Sequence, residues 1–175
     1  MKQKRLIIRS IILVVMFAAI GYTLISHFTE DRGRVDRDDI APNFAVVDTE
    51  GNLLELADLE GKGVYVNFWA TWCSVCRDKM EHLKNNYDDY RDKGVVIVAI
   101  NSGEGSTVIQ RHMERFQYNY PLYIDRGNLV GNAYGVMEIP VAFLIDENGV
   151  VLDREIGPKS EEKVIQSLER LIPGN

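Results

Sequence analysis

The chain has 175 residues, enough for one ordinary domain and a short extra segment. Its formal charge of −6 is unevenly divided: Lys2, Lys4, Arg5 and Arg9 come first with no acid among them, and the remainder carries 16 basic against 26 acidic residues, a net of −10. That balance argues against nucleic-acid binding by the main domain. Two cysteines, with His82 and His112 at no ligand spacing, fall short of the four-ligand set of structural zinc.

Ser10 to Thr29 holds no charged residue and centres on the apolar run Ile11 to Ile20. At about 1.5 Å per residue this stretch reaches roughly 30 Å, the thickness of a hydrocarbon core. All the basic residues of the segment precede the apolar run. They should stay in the cytoplasm and place everything after Thr29 outside. Two readings stand: an uncleaved anchor helix, or a signal peptide cleaved near Ala19-Ile20-Gly21. Both export the domain to a compartment where disulfides persist. The predicted organisation is a signal anchor over residues 1–29, a charged linker over 30–39 and one folded domain over 40–175.

Within that domain, Phe44 to Val47 and Leu53 to Leu56, joined by Asp48-Thr49-Glu50-Gly51, read as a hairpin. Val64 to Trp69 is a mostly apolar run typical of a central strand. A helix should begin near Cys73 and run to about Tyr90, with Leu83, Tyr87 and Tyr90 on one face. Val95 to Ile100 is six consecutive apolar residues, the pattern of a strand covered on both sides. Thr107 to Phe116 is a helix capped by Ser106. A short strand at Leu122 to Ile124 and a helical turn at Val130 to Tyr134 follow. Val141 to Ile145 and Val150 to Leu152 form a second hairpin, with Asn148-Gly149 supplying left-handed backbone at its turn. Ser160 to Leu171 closes the chain as an amphipathic helix, with Ser160 at its cap. The alternation implies an α/β fold, with helices covering both faces of a mixed central sheet.

The chemistry lies in Cys73-Ser74-Val75-Cys76, preceded by Trp72. At helical spacing, residues three apart have Cβ atoms roughly 5–6 Å apart, against about 3.5–4.5 Å in a relaxed disulfide. Such a bridge forms with some strain and opens easily, which suits electron exchange. As a staple it would close too short a loop to restrict the unfolded chain much.

The stretch Val66-Asn67-Phe68-Trp69-Ala70-Thr71-Trp72-Cys73-Ser74-Val75-Cys76 resembles the active-site segment of thioredoxin-like proteins. Ala41-Pro42-Asn43-Phe44, Leu56 to Lys62 and Ile139-Pro140-Val141 fit the same pattern, and the whole chain is most similar to membrane-anchored bacterial thiol–disulfide oxidoreductases of the ResA type. The resemblance implies a thioredoxin fold with an extra N-terminal β-hairpin, preceded by one transmembrane helix. It implies a cis peptide bond at Ile139-Pro140, across from the cysteines. It also implies a client: proteins of this type reduce a disulfide in apocytochrome c before haem attachment and are recharged by a membrane thiol donor. No cofactor or metal enters this chemistry.

Several positions depart from the family pattern. Asn67 stands where thioredoxin proper keeps a buried aspartate, although asparagine fits the ResA type, and there it should complete a buried hydrogen-bond set. Ser74-Val75 replaces a common Glu-Pro pair. Glu81 stands where a helix-kinking proline is common. Lys79 stands where the ResA type tends to carry a glutamate that tunes the thiols. Lys79 has two readings, an exposed helix lysine or a cation that favours thiolate over thiol.

The expected catalytic residues are Cys73 and Cys76, which form the redox-active disulfide, with Trp72, Pro140 and Lys79 in support. Cys73, at the first turn of its helix, should hold a stabilised thiolate and attack the client. The less exposed Cys76 should then resolve the mixed disulfide. Trp72 should wall the site, and the edge near Pro140 should pair with an extended client. His82 and His112 read as solvated helix residues, and Trp69 as packing. Competing readings are a peroxidase of the peroxiredoxin kind, which expects Thr or Ser where Ala70 stands, and a redox-sensing binding module. A further reading keeps the chemistry but acts on envelope or spore-coat clients.

Overall fold

The structure, a computed structural model, describes residues 9, 11–23 and 34–174. The chain divides into two units, Met1–Arg34 and Val35–Asn175. In the first, residues 11–23 are helical. Among the described residues, no helix is long and apolar enough to cross a membrane. The predicted anchor over 1–29 lies partly outside them, as does the linker up to residue 33.

The second unit is built on a seven-stranded mixed sheet among the described residues. In chain order its strands are β1 (Ala45–Asp48), β2 (Leu53–Glu55), β3 (Gly63–Trp69), β4 (Val95–Asn101), β5 (Leu122–Ile124), β6 (Val141–Ile145) and β7 (Val151–Ile156), arranged β2-β1-β5-β4-β3-β6-β7. The helices are α1 (Ser74–Arg91), α2 (Ser106–Phe116), α3 (Leu129–Ala133) and α4 (Glu161–Glu169). Strand β3 runs parallel to β4 and antiparallel to β6. A crossover through α1 joins β3 to β4, as a parallel pair requires. The N-terminal hairpin adds to the sheet by pairing β1 with β5, Val47 opposite Ile124.

All seven residues of β3 are buried. Alternation divides them between two cores: Tyr65 and Trp69 face α1 and α4 with Cys76, Met80, Leu83 and Leu168, while Val64, Val66 and Phe68 face Phe44, Tyr134 and Phe143 on the other side. Gly63, which opens β3, is packed so tightly that any Cβ would run into the Leu171 carbonyl. Val35 lies in the second core, and Asp38 N–H donates to the Val151 carbonyl at 2.8 Å. Ordered packing thus begins within the charged stretch that precedes the first hairpin.

Some local details differ from the sequence reading. Helix α2 starts one residue earlier than expected, with Gly105 rather than Ser106 at its N-cap. Ser160 does occupy the N-cap of α4, but its side chain makes no capping hydrogen bond. Strand β7 continues to Ile156, past the expected end at Leu152. At its hairpin turn only Gly149 is left-handed, at φ 81°, and Asp146 holds the turn by accepting the N–H groups of Asn148 and Val150. Gly149 alone thus supplies the left-handed backbone expected of the Asn-Gly pair, and a side-chain acceptor at the turn's first position secures the rest.

Candidate active site

Strand β3 delivers the chain to the site, and α1 begins there. Trp69 is fully buried at the strand end. The next three residues turn away from the sheet, with Cys73 N–H donating to the Ala70 carbonyl at 3.2 Å. Cys73 is the N-cap of α1, in extended backbone, and its Sγ accepts the N–H of Cys76 at 3.2 Å. Cys73 and Cys76 are joined by a disulfide, their Cα atoms 5.3 Å apart. Cys73 keeps 6% of its surface exposed and Cys76 none, the expected order. Only a sulfur at the surface can meet a second macromolecule.

The supporting residues are divided in their placement. Trp72 is 74% exposed beside Cys73. It borders an open cleft whose other wall carries Met137, Glu138 and Ile139. Ile139-Pro140 is cis, as the resemblance implied, and Pro140 is buried where β6 begins. Ile139 packs against the core that contains both cysteines. A second cavity, under Val64 and Ile145 at the other end of β3, holds none of the reactive residues.

Lys79 is not an exposed helix lysine. It is 1% exposed, and its Nζ has no hydrogen-bond partner. The ammonium lies 5.4 Å from the centroid of the Tyr65 ring. Burial pulls its pKa down to about 8, partly offset by Glu155. Glu155 itself accepts the Ser167 hydroxyl at 2.6 Å and the Tyr65 hydroxyl at 3.3 Å. Burial, reinforced by Glu155, drives the Tyr65 hydroxyl well above its ordinary value, so it stays a neutral donor.

Asn67 does not complete a hydrogen-bond set. It is fully buried, and neither amide atom has a partner. His112 is also not a solvated residue. It is half-buried, 5.2 Å from Trp69 and 4.6 Å from Phe116 between ring centroids, and burial lowers its pKa.

Sequence reasoning missed two acids. Glu104 accepts the N–H and hydroxyl of Thr71 at 2.7 and 2.6 Å and the Asn101 amide at 2.8 Å. It thereby clamps the turn that carries Trp72 into Cys73. Burial pushes the Glu104 carboxyl up, but the hydrogen bonds from Asn101 and Thr71 outweigh it and hold the group below its ordinary range. Glu155 was hidden in a strand that the sequence reading ended too early.

A disulfide at a helix start, with one sulfur reaching the surface and the other fully covered, is arranged for thiol–disulfide exchange. Comparison with known proteins agrees. The AhpC/TSA family model matches residues 38–154. The chain belongs to that family. Over 173 residues, 99% of this chain and 100% of the relative, it is 38% identical to thiol-disulfide oxidoreductase ResA of Bacillus thuringiensis (strain Al Hakam). It is 41% identical over 172 residues to the ResA of Geobacillus thermodenitrificans (strain NG80-2), covering 98% of this chain and 99% of that one. A putative thiol:disulfide interchange protein DsbE from Chlorobium tepidum superposes with a TM-score of 0.73 at 29% identity, over 79% of this chain and 99% of that one. The protein is a thiol–disulfide oxidoreductase of the ResA type with a thioredoxin-like fold, and its clients are proteins that carry disulfides.

Proposed function

We propose that this oxidoreductase works outside the cytoplasm, held to the membrane by its N-terminal segment, and reduces the disulfide of apocytochrome c before haem attachment. The observation that carries the order of attack is the placement of the two sulfurs, with Cys73 nearer the surface at the N-terminus of α1 and Cys76 fully covered one turn inside. Cys73 as thiolate attacks one client sulfur, and a client thiolate leaves. Cys76 then attacks Cys73 Sγ, the mixed disulfide breaks, and the second client sulfur departs. Two electrons pass from the dithiol to the client. A membrane thiol donor returns them.

Trp72 and the edge beside Pro140 flank this exchange, where an extended client segment fits the cleft along Met137 and Ile139. The export reading rests on the four basic residues ahead of an uncharged apolar stretch. The client reading rests on likeness to the ResA type. A peroxidase role finds no support at Ala70, which brings no hydroxyl to the position three residues before Cys73.

Replacing Cys76 with Ala removes the resolving sulfur and leaves clients joined to Cys73. Recovery of an apocytochrome c from intact cells carrying Cys76→Ala is the expected result. Recovery of only envelope or spore-coat proteins would overturn the client, and capture of cytoplasmic proteins alone would overturn the location.

A further inference from the structure

Lys79 is costly to explain by packing alone. A buried ammonium with no hydrogen-bond partner is expensive, and such groups gather at functional sites. It lies three residues past Cys76 on α1, the spacing at which helix side chains are neighbours, with Cβ atoms roughly 5–6 Å apart. Both residues are sealed from solvent, at 1% and 0% exposure. Pairing through the sheet sets Asn67 opposite Ala142, and Ala142 opposite Glu155. The small Ala142 side chain separates a row of polar groups on the face that α1 covers. Glu155 is fixed in that row by Ser167 of α4 and Tyr65 of β3. Its charge favours the ammonium form of Lys79, while Lys159, in the loop after β7, opposes it.

We propose that Lys79 and Glu155 form a buried charge couple that governs the proton of Cys76 during resolution of the mixed disulfide. The proposal deepens the roles assigned above to the two cysteines and rests on them. Lys79 is a positioning residue: it acts on the client through Cys76.

In the mixed disulfide, Cys76 is a buried thiol, and burial alone would keep it protonated and unreactive. Its proton passes to Lys79 in its neutral amine form, the minor form that a pKa of about 8 keeps accessible near neutral pH. The ammonium so formed shares its buried layer with the new thiolate and with Glu155, which Tyr65 links to it. Cys76 Sγ then bonds to Cys73 Sγ, the bond from Cys73 to the client breaks, and the client leaves as thiolate. The negative charge beside Lys79 has now gone into the new bond. Burial again outweighs Glu155, which is the state in which the Lys79 pKa is about 8. The ammonium then equilibrates with solvent, and the departed thiolate takes up the proton released. Tyr65 keeps its own proton throughout and serves only to hold Glu155.

The test uses the reduced full-length chain and Ellman's reagent, which releases one coloured thiolate when Cys73 attacks and a second when Cys76 resolves. In Lys79→Met, a near-isosteric change, the second release at neutral pH should slow about tenfold, the effect of one pKa unit on Cys76. Its pH profile should move upward, and the first release should change by less than about threefold. Glu155→Gln should slow the second release by less, and Lys79→Arg should not restore the rate, because a guanidinium stays protonated and cannot take up the Cys76 proton. The double variant Lys79→Met/Glu155→Gln leaves no buried charge unpaired and so guards against a misfolded single variant. It should resolve no more slowly than Lys79→Met alone, since coupled residues do not add. A second release whose rate and pH profile match the parent chain in both Lys79→Met and the double variant would overturn the couple. Failure of the parent chain itself to give two releases would instead overturn the roles of the cysteines.

Discussion

The backbone N–H of Cys76 points at the sulfur of Cys73, 3.2 Å away, from inside the first turn of α1. In the reduced protein this donor, with the positive end of the helix, favours negative charge on Cys73. Lys79 adds a cation on the same helix where relatives of the ResA type tend to carry an acid. The Cys73 thiol is therefore expected to titrate below the ordinary cysteine value of about 8.5, and below that of the Lys79→Glu variant. Thiolate absorbance of the reduced chain against pH checks this. A Cys73 pKa at or above the ordinary value ends the idea.

Glu104 gives a second prediction, on stability. Its carboxylate receives three hydrogen bonds from Thr71 and Asn101. Glu104→Gln should cost about 1–3 kcal/mol, the range for charge-assisted bonds to a partly buried group. The pH dependence has a definite sign. A carboxyl whose folded pKa is depressed contributes stability above its unfolded value, ordinarily 4.5, and loses it as pH falls through the lower folded value. The gap between parent and variant in urea unfolding should be full at neutral pH and close below that window. A gap that persists unchanged in acid would remove Glu104 from this role.

Much of this could be read from the residues. The run from Val64 to Trp69 marked the central strand because burial on both faces leaves no room for polar alternation. The two-residue spacing of the cysteines located the redox pair, because few other roles need it. What stayed hidden was tertiary. Lys79 reads as a surface lysine in any helical window, and only the docking of β7 and α4 encloses it. Glu155 looks like the polar face of an edge strand until its register with Ala142 turns it inward. Glu104 lies in a loop, and its three donors come from two other segments. Asn67 was placed correctly in the strand, but the expected partners for its amide are not there.

Tyr134 joins the helical turn of α3 to the second core. Its ring packs against Phe143, with centroids 5.0 Å apart, and against Phe44 at 5.8 Å, and its hydroxyl donates to the Pro42 carbonyl at 2.8 Å. Removing only the hydroxyl, in Tyr134→Phe, should cost about 0.5–1.5 kcal/mol. Removing the ring, in Tyr134→Ala, should cost about 3–5 kcal/mol, as for other large core side chains. Chemical unfolding of the two variants separates these contributions. Equal losses in both would mean that the hydroxyl, not the ring, anchors the segment.

Asn67 supplies the last prediction, because the acid that thioredoxin proper keeps there can be restored. Asn67 shares the α1-facing side of β3 with Tyr65 and Trp69, and Lys79 lies over Tyr65. In Asn67→Asp, burial pushes the new carboxyl above its ordinary value. A carboxyl raised in this way costs little below its unfolded pKa and progressively more as pH rises toward its folded value. Relative to the parent, the variant should lose about 1–3 kcal/mol between about pH 4 and pH 7. Lys79 softens that loss by offering the carboxylate a cation within the same enclosed layer. The loss should therefore deepen in Asn67→Asp/Lys79→Met beyond the sum of the two single changes, because groups that share one buried layer are coupled. Urea unfolding at the two pH values, across the four chains of this cycle, reads the coupling directly. Strict additivity would place Lys79 out of electrostatic reach of position 67 and confine its influence to the Cys76 side of the helix.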